Sequence, residues 1–166
     1  MIFFSQLPEI TGGTFLHFYS DFAIENLSID SRKTTGQKKT LFFAINGERH
    51  DRHDFISELY RLGTRQFVVE EPTIPLGDFP EANFLLVNST VSALQKVVAF
   101  HRNRFSFPVI GITGSNGKTI IKEWLFQILS KDKSVVKNPG SYNSQLAVPL
   151  SVWQIKPHHQ VGVFEP

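Results

Sequence analysis

Residues 108–119 constrain this chain more than any other stretch. The apolar run Pro108-Val109-Ile110 leads into Gly111-Ile112-Thr113-Gly114-Ser115-Asn116-Gly117-Lys118-Thr119, and a helix-forming segment opens near Lys118. A strand that enters a glycine-rich turn and leaves it as a helix aims several backbone N–H groups at one spot. The helix N-terminus adds partial positive charge there. A polyphosphate fits that spot. Lys118 is placed to reach its outer phosphates, and the Thr119 hydroxyl to hold a magnesium ion.

The spacing is a variant. The strict loop pattern GxxxxGK[ST] needs glycine five positions before Gly117, where this chain has Ile112. Its glycines fall instead at 111, 114 and 117, giving GxxGxxGKT. A glycine-rich turn is by itself only a turn. The combination of strand, Gly-Lys-Thr and helix is what argues for phosphate.

Composition narrows the class. At 166 residues the chain suits one domain or one and a half, and 41% hydrophobic content is enough for a buried core. The 16 phenylalanines are expected to pack that core. A net charge of +2, from 17 basic and 15 acidic residues, gives no argument for a nucleic-acid partner. The absence of cysteine excludes disulfides and thiolate metal sites and fits a cytoplasmic location. Met1-Ile2-Phe3-Phe4 lacks a basic lead and soon meets Pro8 and Glu9, so it does not read as a signal peptide. No apolar run approaches the ~20 residues of a membrane helix, so no membrane insertion is expected.

Periodicity predicts an α/β chain. Strands are expected at 13–19, 26–29, 41–45, 66–69 and 84–87, with a turn at Asn46-Gly47. Helices are expected from Asp54 to Leu62 and from Ser89 or Thr90 to Phe100. His101-Arg102-Asn103-Arg104 reads as a solvated junction. A second unit then begins at Pro108. Its helix is expected to bury a stripe of Ile120, Ile121, Trp124, Leu125, Ile128 and Leu129, with Lys122, Glu123 and Gln127 on the solvent side. Strands at 134–137 and 161–164 flank a loop at 138–143 and a partly helical stretch at 145–153. The expected domains are 1–104, a small N-terminal α/β unit, and 105–166, the start of a parallel-sheet nucleotide-binding domain. About three strands in the second unit fall short of the usual ~5, so it is expected to be incomplete and the chain a fragment.

Three segments carry a resemblance. The first is Asp30-Ser31-Arg32, followed by Leu41-Phe42-Phe43-Ala44-Ile45-Asn46-Gly47 and His53-Asp54-Phe55-Ile56. The second is the GxxGxxGKT loop. The third is Ser141-Tyr142-Asn143-Ser144-Gln145-Leu146-Ala147-Val148-Pro149. Together they resemble the N-terminal part of the Mur ligases, ATP-dependent amide-bond ligases of peptidoglycan precursor synthesis. Within that family the wording is most like the member that adds D-alanyl-D-alanine to UDP-MurNAc-tripeptide, which in some bacteria is fused to an alanine racemase domain. The chain departs from the family wording at Ala147, where glycine is common, and at Arg52, where glycine precedes the histidine.

The resemblance implies a UDP-binding domain followed by a P-loop-type ATP-binding domain, and a reaction through an acyl phosphate. It assigns ATP to Thr113, Gly114, Ser115, Asn116, Gly117, Lys118 and Thr119, with Lys118 as the catalytic cation. Mg2+ falls to Thr119 and Glu165, since magnesium prefers hard oxygen ligands. The UDP-MurNAc-peptide falls to Ser31, Arg32, Gly47, Asn143 and Ser144, an arginine fork suiting a diphosphate. D-Ala-D-Ala and the remaining ligase domains are the other implied partners. Such a fragment is expected to be inactive alone. Two other classes use part of the same signals: a UDP-sugar binding module without catalysis, and a P-loop ATPase or kinase unrelated to the cell wall. His50 and His53, with Asp51 and Asp54, lack the context of a metal site and read as solvated loop.

Overall fold

The structure, a computed structural model, describes residues 1–33, 36–45, 52–140 and 144–165. The Asn46-Gly47 turn, His50, Asp51 and the segment Ser141-Tyr142-Asn143 lie outside the described residues, as do the side chains of His53 and Asp54. By their contacts the residues divide into two units, Met1–Val97 and Val98–Pro166.

The first unit runs β1 (Ile2–Phe3), α1 (Leu7–Thr11), β2 (Thr14–His17), β3 (Ala23–Ile24), β4 (Asn26–Ser28), β5 (Thr40–Phe43), α2 (Arg52–Leu62), β6 (Gln66–Val69) and β7 (Asn83–Leu86). It ends in α3 (Thr90–Arg102), within which the division falls. Five strands form one sheet in the order β2-β7-β6-β5-β4. Strands β4 to β7 pair in parallel, and β2 joins the β7 edge antiparallel. A small antiparallel pair, β1 with β3, had no sequence signal, since two-residue strands carry no period.

The parallel register explains part of the phenylalanine content. Phe42, Phe67 and Phe84 stand level on three adjacent strands. Phe67 and Phe84 stack at 5.1 Å, and Phe42 meets Phe67 edge-on at 6.4 Å. Each such pair contributes about 0.5–1.5 kcal/mol beyond area burial. Ile56 and Leu59 of α2 close over this ladder, together with Phe79 from the proline-bearing loop.

The second unit adds β8 (Val109–Gly111), α4 (Lys118–Leu129), β9 (Val135–Lys137), α5 (Ala147–Val152) and β10 (Val161–Phe164). Its three strands are parallel in the order β8-β10-β9. Both faces of this sheet are covered, as parallel sheets require. Val161 and Val163 meet Leu125 and Leu129 of α4 on one side. Phe164 and Val136 meet Val152, Ile155, Phe105 and Phe107 on the other.

Two sequence expectations fail here. On α4 only the Leu125–Leu129 edge of the expected stripe faces the sheet. Ile120, Trp124 and Ile128, at 58%, 63% and 62% exposure, form an open apolar row, and Ile121 is exposed as well. Lys122, expected in solvent, is fully buried. The helix is apolar over more than one face, so its pattern does not say which face meets the sheet. His101 is also buried rather than solvated. Its Nε2–H donates to the Ile155 carbonyl at 3.1 Å, and the ring lies against Trp153 and Phe105.

Candidate functional site

Parallel pairing brings the C-terminal ends of β8, β10 and β9 side by side, the edge at which open α/β sheets bind ligands. The glycine-rich loop leaves β8 there. Ile112, in place of the strict-pattern glycine, extends the pairing. Its N–H donates to the Phe164 carbonyl at 2.8 Å and its side chain joins the core. A glycine at 112 would lose that packing, so the variant spacing has a structural reason. The sharp turns come later. Gly114 has φ +147° and Gly117, the residue before α4, has φ +78°. Both lie in the region L side chains rarely adopt.

The turn opens a cleft of about 310 Å³ lined by Ser115, Asn116, Gly117, Lys118, Thr119, Ile120 and Glu165. Within it Lys118 folds back over the loop, its Nζ donating to the Gly114 carbonyl at 2.6 Å. The first intrahelical bond of α4 runs from the Ile121 N–H to the Gly117 carbonyl at 3.0 Å. Backbone N–H groups ahead of it have no place in the helical ladder and remain for a ligand. Thr113 lies exposed at the start of the turn and does not line the cleft.

Glu165, just past β10, is the buried acidic member, 1% exposed. Its backbone is clamped twice by Asn138: its N–H donates to Asn138 Oδ1 at 3.0 Å and its carbonyl accepts from Nδ2 at 3.2 Å. Its Oε1 accepts the Thr119 hydroxyl at 3.0 Å. Its Oε2 is buried, 3.5 Å from Lys122 Nζ, and has no hydrogen-bond partner among the described residues. Leaving such an oxygen unsatisfied costs free energy. A hydroxyl and a carboxylate held together, with one acceptor unspent, make a donor set suited to a hard divalent cation.

The remaining expected residues are held elsewhere. Ser31 and Arg32 occupy a short 3-10 turn of the first unit, Ser31–Lys33. The exposed Arg32 forks onto Asp30, with Nε at 3.0 Å from Oδ1 and the second contact at 3.2 Å. The Asp30 carboxylate pushes the Arg32 pKa up, chiefly through these hydrogen bonds. Ser144 is exposed, and its Oγ accepts the Ala147 N–H at 3.1 Å. Ala147 therefore opens α5 as a helical residue, a position that needs no glycine. Gly47 and Asn143 lie outside the described residues. Sequence reasoning missed Lys122, although a signal was present: on a helix it shares a face with Thr119, three residues before it, and Lys118, four before it. Among the described residues no cluster of three or more acidic or histidine side chains is arranged for a metal, and no helix is long and apolar enough to cross a membrane.

Comparison with known proteins gives these features a context. Residues 112–166 match the Mur ligase middle domain. The chain is 36% identical over 145 residues to a UDP-N-acetylmuramoyl-tripeptide--D-alanyl-D-alanine ligase of Synechocystis, a match covering 87% of this chain and 31% of the relative. It superposes on a crystal structure of MurF from Acinetobacter baumannii with a TM-score of 0.83 at 31% identity, over 97% of this chain and 34% of that one. A MurF ligase from Thermotoga maritima, solved in complex with ADP, matches at a TM-score of 0.71 and 33% identity, over 84% of this chain and 31% of that one. The chain thus spans about a third of the length of the relatives it matches.

Proposed function

We propose, from the premise that this chain belongs to the Mur ligase family, that it is the nucleotide-handling part of a ligase that adds D-alanyl-D-alanine to UDP-MurNAc-tripeptide. The observation that carries the reading is the cleft in which the glycine loop, Lys118, Thr119 and the buried Glu165 converge. In the overall reaction the substrate carboxylate attacks the γ-phosphate of ATP, giving an acyl phosphate and ADP. The amine of D-alanyl-D-alanine then attacks the acyl carbon, releasing phosphate and forming the amide bond.

This chain's part in that reaction is positioning and charge neutralisation, which dominate catalysis of phosphoryl transfer. Backbone N–H groups from Gly114 to Gly117 hold the phosphates. Lys118 gives up the Gly114 carbonyl and turns to the β- and γ-phosphates. Thr119 and Glu165 hold Mg2+, which when bound offsets the charge that builds on the phosphate oxygens. The residues fit such an ion, since the buried Oε2 of Glu165 has an unspent acceptor.

The UDP-muramyl ligand is assigned to the first unit through Ser31, Arg32 and Gly47, and to Asn143 and Ser144 near the start of α5. Two of the five N–H donors of Arg32 face Asp30, leaving others for a diphosphate. Capture of D-alanyl-D-alanine is assigned to the part of a full ligase that this chain does not match. The test is titration with UDP-MurNAc-tripeptide by calorimetry. Arg32→Ala is expected to weaken binding by about tenfold or more, the loss of one charge-assisted pair. Unchanged affinity would contradict the assignment of the diphosphate to Arg32.

A further inference from the structure

We infer that Lys122 is a positioning residue: it is the resident counter-charge of Glu165, and it ties that carboxylate to the turn after β9. Lys122 follows Thr119 by three residues on α4, so both side chains face Glu165. Thr119 takes one carboxylate oxygen, and the Lys122 ammonium stands 3.5 Å from the other. Both charged groups are almost wholly buried, at 0% and 1% exposure. The ammonium donates its hydrogen bond to the Gly140 carbonyl. That carbonyl lies two residues past Asn138, the residue that clamps the Glu165 backbone.

The arrangement is closed. One lysine joins the helix after the glycine-rich loop, the end of β10 and Gly140 beyond β9. A buried charge with no partner is far more costly than a buried pair. Lys122 therefore balances the carboxylate charge beside Thr119 when no cation is present. The geometry leaves the carboxylate available: the ammonium sits beside Oε2 without taking it in a hydrogen bond. An incoming cation can use that oxygen while Lys122 stays anchored on Gly140.

A double-variant cycle on the purified chain tests this, read as the thermal midpoint with and without Mg2+. Lys122→Met alone strands the carboxylate, and a midpoint loss on the order of 10 °C or more is expected. Adding Glu165→Gln removes the stranded charge and is expected to restore more than half of that loss. Additive losses would overturn the counter-charge. If both single variants prove unfolded, a folded double variant supports the inference and an unfolded one overturns it. The magnesium arm rests on the reading of Thr119 and Glu165 as metal ligands. There Mg2+ is expected to raise the midpoint of Lys122→Met by more than that of the wild type, because the cation replaces the missing charge. Equal increments would overturn the positioning role and leave Lys122 as packing. No increment in either protein would overturn the metal reading itself and the positioning role with it, whereas the charge cycle is independent of that reading.

Discussion

Lys122 and His101 are each read as solvated in the sequence, and each is buried in the fold. The reason is the same. A polar residue looks like surface until a distant partner is known. The Ile155 carbonyl lies 54 residues from His101 along the chain. Because a carbonyl only accepts, His101 Nε2 carries the proton of that bond. Burial pushes the His101 pKa below the ordinary histidine value, with the charges of Arg104 and Lys156 acting in the same direction, while the bond to Ile155 works against it. The unfolded chain therefore binds the proton more readily than the folded one. The contribution of His101 to stability is complete above the unfolded value of about 6.5 and is lost as pH falls through the lower folded value. Urea midpoints of the second unit are expected to fall between pH 7.5 and about 5, and His101→Phe is expected to flatten that limb. An equal slope in the variant would mean that another group governs it. Ile112 teaches the complementary lesson. It looked like a flaw in the loop pattern, but its strand-like hydrogen bond and core packing account for it.

Among the elements, helix α4 separates what a pattern encodes from what it leaves open. Its start at Lys118 was legible because glycine and the loop spacing mark it. Its orientation was not, because apolar residues occupy more than one face and the sheet chooses among them. Leu125 and Leu129 were chosen, and Ile120, Trp124 and Ile128 were left in solvent. Stability should follow that division. Trp124→Gln is expected to shift the unfolding free energy by no more than about 0.5 kcal/mol, as exposed sites do. Leu125→Ala is expected to cost roughly 2 kcal/mol, the low end for a core leucine, since its side chain is only partly buried. Comparable losses in urea unfolding would show that the open row is packed in solution. Strands β5, β6 and β7 were easier to read: each is a short apolar run bounded by polar or turn residues, and each is buried along nearly its whole length. Strands β1 and β3 were not read, because their two-residue pairing is set by the fold around them.

For the whole chain, the α/β class was visible in alternating strand and helix signals, and the structure has two parallel-sheeted units of that kind. The glycine-rich loop was visible because its signal is local: one strand end, three glycines, a lysine and a threonine within a few residues. The other half of the site was not local. Glu165 lies 46 residues from Thr119, and only a parallel register places the two at one sheet edge. Asn138 and Gly140 come from a third strand end, and no spacing rule connects them to the loop. The central claim is that this edge binds a nucleotide through its phosphates. Calorimetric titration of the chain with Mg-ATP, wild type against Lys118→Ala, tests it most directly. The account expects measurable binding by the wild type and at least about a tenfold loss in the variant, some 1.4 kcal/mol. Equal heats in the two proteins, or none in either, would contradict it.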